Sequence, residues 1–169
     1  MSLSKGAKIA VLVANGFNEN HFIRLQKILI EAGCQAKLIS MTQGLVNGWN
    51  EEENSWGHNY AVDTPLNSAL GVDYDGLVIP GGHRSLDKLK MTAHTRRFIT
   101  SFTKMDKPVC AMGDAYDIMM HVQVAEQAPI ANDDKPAQMT GSILSGRCDE
   151  EFYTMMAELL MQDNLDQAA

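Results

Sequence analysis

The sequence predicts an α/β domain, a three-layer sandwich around a mainly parallel sheet. Short, continuous apolar runs, typical of strands buried on both faces of such a sheet, alternate with segments whose apolar residues recur at helical spacing. The chain has 169 residues, enough for one domain with a substantial core. We therefore expect a single domain over residues 7–162, with flexible termini at residues 1–6 and 163–169.

Each predicted element rests on a local pattern. Apolar runs predict parallel strands at residues 8–13, 35–39, 74–80 and 107–112. Helical spacing predicts a first helix capped by Asn18 or Asn20 and ended by Gly33, and further helices at residues 93–105 (capped by Thr92), 115–122 and 149–161. Between these elements we expect a β-hairpin within residues 42–65 with its tip near 48–58, one helical turn at 66–70, and short strands at 129–130 and 142–144.

The composition excludes several classes of partner. The net charge of −7 disfavours nucleic acid and anionic membranes. No apolar run reaches the length of a membrane span, and residues 1–6 lack the hydrophobic stretch of a signal peptide. The three cysteines are scattered without metal-type spacing, which is typical of reduced thiols. We expect a cytoplasmic protein with no metal and no cofactor.

Three polar turns follow three of the predicted strands. In an open parallel sheet, ligands bind beyond the carboxyl ends of the strands, so these turns should meet there. They contribute the candidate site residues His21, Gly81, Gly82, His83, Gly113 and Asp114.

These residues allow several interpretations. Gly81 and Gly82 either present backbone N–H groups to an anion or form only a tight turn. Asp114 is expected to cap the following helix. His21, His83 and Asp114 are a possible metal set, although they come from three separate turns and their spacing is not diagnostic.

Three segments, KIAVLVANGFNENHF, YDGLVIPGG and KPVCAMGDA, resemble the ThiJ/PfpI superfamily in order and spacing, through roughly residues 7–162. This superfamily is related to class I glutamine amidotransferases, and the resemblance implies a flavodoxin-like sandwich. The family's nucleophile is a cysteine on a strained strand-to-helix elbow, and the register places Gly113 there, with Asp114 where many members have histidine. His21 stands where the family usually has a glutamate, and Glu19 occupies a different position in that turn. The resemblance therefore implies that the family's cysteine chemistry is absent.

The Gly-Asp-Ala sequence at 113–115 and the shortened stretch at 123–148 resemble more closely the cysteine-less C-terminal domain of large-subunit catalases. We expect a non-catalytic domain for stability, assembly or small-ligand binding. The alternative is a hydrolase or glyoxalase-like enzyme with an unidentified nucleophile. A ligand-sensing domain is a third possibility.

Two further expectations concern cysteines and aromatic residues. Cys34, Cys110 and Cys148 are expected to be inert, although Cys148 lies near a helix N-terminus, which could lower its pKa. Trp49, Trp56 and Tyr60 fall in the polar hairpin segment, where exposed aromatics would anchor an interface; the alternative is that the segment folds back and buries them against its own sheet. We therefore expect a homodimer, because two-fold pairs are the commonest assembly.

Overall fold

The computed structural model describes residues 6–122 and 132–168, with side chains described up to residue 160. In chain order, its elements are β1 (Lys8–Leu12), β2 (Phe17–Asn18), α1 (Glu19–Glu31), β3 (Gln35–Ser40), β4 (Leu45–Asn50), β5 (Ser55–Ala61), β6 (Thr64–Pro65), β7 (Gly76–Ile79), α2 (His83–Leu89), α3 (Ala93–Lys104), β8 (Val109–Met112), α4 (Tyr116–His121), β9 (Gln138–Thr140), β10 (Ile143–Gly146) and α5 (Glu150–Ala168).

Over the described residues, the main sheet has seven strands in the order β6-β3-β1-β7-β8-β10-β9. All its pairings are parallel except that of β9 with β10. Strands β7, β8 and β10 are buried along their whole length, because helices cover both faces of the sheet. The predicted α/β sandwich with a mainly parallel sheet is confirmed.

Each face of the sheet has its own apolar core. On one face, the buried residues of α2, α3 and α4 include Leu86, Phe98 and Ile118. On the other face, α1 and α5 contribute Phe22 and Phe152. These two cores fix the ends of the central strands, where the candidate residues lie.

Side-chain caps set the starts of two helices. The Asn18 side chain accepts the His21 N–H of α1 at 3.2 Å, so Asn18 rather than Asn20 is the cap. The Asp149 side chain accepts the Phe152 N–H at 3.0 Å at the start of α5. After α1, Gly33 adopts a positive φ of 76° and turns the chain into β3.

The predicted hairpin exists but is more tightly turned. Strands β4 and β5 pair antiparallel, leaving residues 51–54 as the tip. Together with β2 they form a second sheet in the order β2-β4-β5. The hairpin is therefore attached to the segment that follows β1.

Three other elements differ from expectation. Helix α2 was not predicted, because its seven residues are too few to show a helical period of apolar residues. The closing helix continues to Ala168, beyond the predicted end at residue 161. The strand predicted at 142–144 exists as β10, whereas the one predicted at 129–130 lies outside the described residues.

Within the described ranges, no helix combines the length and apolar character needed to cross a membrane.

Candidate functional site

A polar crevice of about 320 Å³ opens at the carboxyl edge of the main sheet. It is lined by His21 from α1, by Gly82 after β7, by Gly113 and Asp114 after β8, and by Cys148 after β10. The structure thus brings together four of the six candidate residues. A fifth, Gly81, donates a backbone hydrogen bond to one of these four, His21.

Gly113 occupies a sharp elbow at the end of β8. Its φ is +57°, a left-handed conformation that favours glycine, and a 3-10 turn over Gly113–Ala115 leads into α4. A Cβ added at Gly113 would lie 3.0 Å from Cε1 of His21. The elbow is therefore present without a nucleophile, and the His21 ring lies next to the space that a side chain would enter.

His21 is held as a neutral ring. Its Nδ1 accepts the Gly81 backbone N–H at 3.0 Å, which leaves the proton of the neutral imidazole on Nε2. Burial lowers the pKa of His21 to about 4. At neutral pH the ring is uncharged, and its Cε1–Nε2 edge faces Gly113.

The backbone N–H groups of Gly81 and Gly82 are both occupied within the protein. Gly81 donates to His21, and Gly82 donates to Oδ1 of Asp114 at 2.8 Å. The anion-site interpretation of these glycines is therefore wrong for this structure, and the tight-turn interpretation holds. Gly82 has a φ of +113°, and a Cβ there would lie 2.7 Å from the Gly16 carbonyl oxygen, so the turn requires glycine.

Asp114 does not cap a helix. Neither the 3-10 turn at Gly113–Ala115 nor α4 has a side-chain capping bond. Its carboxylate instead joins the two turns that follow β7 and β8, through the Gly82 N–H. The predicted cap is wrong because the carboxylate finds a donor across the crevice.

His83 lies away from the crevice. It is exposed at the first position of α2 and lines a neighbouring depression together with Asp114. In the part of the chain that the structure describes, no cluster of three or more histidine, cysteine or acidic side chains is arranged to hold a metal ion.

The three cysteines have different surroundings. Cys110 is fully buried in β8, and burial raises the pKa of its thiol, as it does for Cys34. Cys148 is partly buried in the crevice, where its sulfur has hydrogen bonds with the Gly113 backbone N–H and the Tyr153 side chain. Burial raises the pKa of the Cys148 thiol to about 12 despite those two bonds. All three cysteines are thus protonated thiols at neutral pH.

The sequence did not predict that Cys148 lies in the crevice beside Gly113. Strand β10 pairs with β8 so that Gly146 lies opposite Met112, and both chains leave the sheet at the same edge. A cysteine two residues after one strand therefore meets the glycine that directly follows the other. The strand predicted at 142–144 was the available signal, but its pairing partner could not be assigned from the sequence.

Glu19 is buried outside the crevice. Its exposed fraction is 3%, and one carboxylate oxygen accepts the His58 backbone N–H at 2.7 Å, the Tyr60 hydroxyl at 2.8 Å and His58 Nδ1 at 3.1 Å. Burial alone would raise the pKa of Glu19, but these hydrogen bonds outweigh it and lower the pKa below its usual value. Glu19 therefore fixes the hairpin to α1 as a charged group.

The three hairpin aromatics differ in exposure: Trp49 is buried, Tyr60 is half-buried and Trp56 is exposed. Trp49 is 8% exposed, with the Arg84 guanidinium 3.7 Å above its ring, and Tyr60 packs edge-on against Phe22. The expectation that all three aromatics form an exposed surface is wrong, because the hairpin folds back onto α1. Trp56, at 52% exposure, is the member of that set that remains accessible.

Solved structures confirm the flavodoxin-like fold. A ThiJ/PfpI domain protein from Brachyspira murdochii superposes with a TM-score of 0.80 at 17% identity, covering 94% of this chain and 98% of that one. DJ-1beta of Drosophila melanogaster gives a TM-score of 0.78 at 19% identity, with 96% of each chain covered.

Sequence relatives cover a shorter region. An uncharacterized protein of Staphylococcus haemolyticus is 33% identical over 107 residues, and a putative cysteine protease of Bacillus subtilis is 30% identical over 105 residues. Each alignment spans 62% of this chain and 59% of the relative. The sequence profile of the DJ-1/PfpI family matches residues 7–132, about three quarters of the chain. The chain therefore belongs to the DJ-1/PfpI family.

Proposed function

We propose that this chain is a non-catalytic member of the DJ-1/PfpI family whose crevice at Gly113 binds a small molecule. The observation that carries the proposal is Gly113 itself, which sits in a left-handed elbow at the end of a central strand and has no side chain to act as nucleophile. An elbow of this kind is the position at which the family places its cysteine.

The groups around Gly113 support the same conclusion. An acyl-transfer site needs donors that are free to receive developing negative charge. Here the N–H groups of Gly81 and Gly82 are already bonded to His21 and Asp114. The Gly-Asp-Ala sequence at the elbow, which resembles the cysteine-less C-terminal domain of large-subunit catalases, favours a structural or binding role as well.

A second candidate is a thiol-dependent hydrolase or glyoxalase-like enzyme that uses Cys148. Its position in the crevice, beside the Gly113 N–H, favours this candidate, and the Bacillus subtilis relative is named a putative cysteine protease. The thiolate is the nucleophilic form, however, and the pKa of Cys148 near 12 keeps that form scarce at neutral pH. The non-catalytic proposal is therefore preferred.

Assays with generic peptide, amide and 2-oxoaldehyde substrates, run before and after thiol alkylation, separate the two candidates. We expect turnover no higher than in a protein-free blank, for the wild type and for Gly113→Cys alike, because His21 stands where the acidic partner would be needed. Turnover that is lost in Cys148→Ser but kept in the matched variant Cys34→Ser would establish the second candidate instead.

A further inference from the structure

The described residues that line the crevice at Gly113 include both hydrogen-bond donors and acceptors. The donors come from α1 and from the segment after β10, and the acceptors come from the turn after β8 and from the hairpin tip. Its volume of about 320 Å³ lies at the lower end of the range of roughly 300–1,000 Å³ for ligand sites, which suits a small molecule.

The donors are His21 and Arg147. Because His21 Nδ1 is occupied by the Gly81 N–H, the Nε2–H is the donor on the Cε1–Nε2 edge of the ring that faces Gly113. The low pKa of His21 preserves this neutral donor across the physiological range. Arg147 adds a guanidinium that is half exposed and uses its Nε to bind Asp149, which leaves its terminal nitrogens as further donors.

Three carboxylates among the described residues line the same crevice. Asp114 has two oxygens, of which Oδ1 accepts the Gly82 N–H. Glu51 at the hairpin tip and Asp133 are the other two, and both side chains are exposed. Since these carboxylates outnumber the one guanidinium among the described lining residues, the crevice favours a ligand with a positive group.

The glycine at the elbow leaves room next to the His21 ring. A side chain at position 113 would begin 3.0 Å from the His21 ring and would occupy the space in front of the Nε2–H donor. Without it, a ligand oxygen can approach that donor directly.

We infer that the crevice binds a small zwitterion of the α-amino acid class, with its carboxylate on His21 Nε2–H and Arg147 and its ammonium on Asp114 and the neighbouring carboxylates. This inference rests on the proposed binding function and names the chemistry of its ligand. The two charged groups of an α-amino acid are close together, and so are His21 and Asp114, because a Cβ added at Gly81 would contact Oδ1 of Asp114 and lie 3.0 Å from Cε1 of His21.

Isothermal titration calorimetry with L-alanine, propionate and ethylamine tests the ligand class, because these probes share a size and differ in their charged groups. We expect L-alanine to bind with a millimolar or lower Kd. Propionate and ethylamine should each bind about tenfold more weakly or worse, since each lacks one set of charge-assisted hydrogen bonds. Equal binding of all three probes, or no detectable binding of L-alanine, would overturn the inference.

A pair of glycine variants tests the location. Gly113→Ala places a methyl group in front of His21, whereas Gly141 has a similar φ of +61° with open space around it, so Gly141→Ala has the same backbone strain without blocking the crevice. We expect Gly113→Ala to lose L-alanine binding by about tenfold or more, while folded Gly141→Ala binds as the wild type does. Asp114→Asn, which keeps an acceptor for Gly82 but removes the charge, should weaken L-alanine and ethylamine while leaving propionate unchanged.

Different results would overturn the zwitterion inference and the proposed non-catalytic function. Binding of ethylamine or propionate as tight as that of L-alanine would overturn the zwitterion while leaving a non-catalytic binding site. Thiol-dependent turnover in the substrate assays would overturn the non-catalytic function whatever the probes show. Wild-type L-alanine binding in Gly113→Ala would place the ligand elsewhere and overturn the inference.

Discussion

Two ionisable side chains at the start of α1, Glu19 and His21, are held in opposite ways although they are two residues apart. Glu19 keeps its charge in the interior because three donors on the hairpin strand surround one of its oxygens. His21 receives one backbone N–H on Nδ1, and burial makes its charged form unfavourable.

The difference teaches that the number and type of partners, rather than burial alone, decides which form a group takes. A carboxylate with three donors acts as an anchor between two elements. An imidazole with one donor becomes a neutral group in the wall of a crevice. The first arrangement supports the fold, and the second is suited to contact with a ligand.

The largest expected effect is a loss of folding stability when Glu19, the anchor between α1 and the hairpin, is replaced. Glu19→Ala removes the charged acceptor for His58 and Tyr60 and with it their hydrogen bonds to the buried carboxylate, so we expect the free energy of unfolding to fall by about 3 kcal/mol. Urea denaturation measures this change. Glu53→Ala, at an exposed position of the hairpin tip, is the matched control and should stay within about 0.5 kcal/mol of the wild type. Equal losses of unfolding free energy in both variants would show that Glu19 stabilises the fold no more than an exposed glutamate does.

The second effect is a pH dependence that belongs to His21. The unfolded chain protonates His21 near its ordinary pKa of 6.5, whereas the folded chain does so only near 4, so stability is lost as the pH falls between these values. Between pH 7 and pH 5 the free energy of unfolding should decrease by about 2 kcal/mol from this residue.

Urea denaturation gives the free energy of unfolding of the wild type and of His21→Gln at pH 7 and at pH 5. The contribution of His21 is the amount by which the change between the two pH values is larger in the wild type. The lowered pKa of Glu19 has its effect below its ordinary value of 4.5, so the window from pH 7 to pH 5 isolates His21. A His21→Gln variant with the same change between the two pH values as the wild type would show that His21 is not held neutral.

The smallest expected effect on folding stability is at Trp56, on the exposed side of the hairpin. We predict a homodimer, with a mass by light scattering of twice 18.6 kDa, in which Trp56 contacts the second copy. Trp56→Ala should weaken the association while changing the stability of the monomer by about 0.5 kcal/mol or less. Val72→Ala, at another exposed apolar position, is the control and should leave the dimer intact. A wild-type chain that is monomeric across a dilution series would contradict the prediction.

The sequence was sufficient where the signal was local. The apolar run before Gly113, the Asn18 cap and the turns after three strands each lie within a few residues of their cause, and the structure has the corresponding elements. The order of these motifs also predicted the family, which the profile match over residues 7–132 confirms.

The sequence was insufficient where the partners are distant. Glu19 meets residues 39 and 41 positions away, and Asp114 meets Gly82 across 32 positions, so neither contact leaves a periodic trace. The residues alone also do not predict which of several nearby acceptors a backbone N–H group will bind. The sequence left open whether Gly81 and Gly82 present their N–H groups to an anion or form only a tight turn, and in the structure His21 and Asp114 accept these N–H groups.

The contact between the hairpin and Glu19 constrains the order in which substitutions can accumulate. A Cβ at Gly57 would lie 2.5 Å from Oε1 of Glu19, and one at Gly48 would lie 3.1 Å from its Cβ. A side chain at Gly57 is thus acceptable only in a background where residue 19 has already shortened, whereas one at Gly48 also meets the Cβ that every residue except glycine has at position 19. That shortening on its own removes the anchor. The three positions therefore form a small epistatic unit in which every single step is unfavourable, and an evolving chain leaves this arrangement only by paired changes.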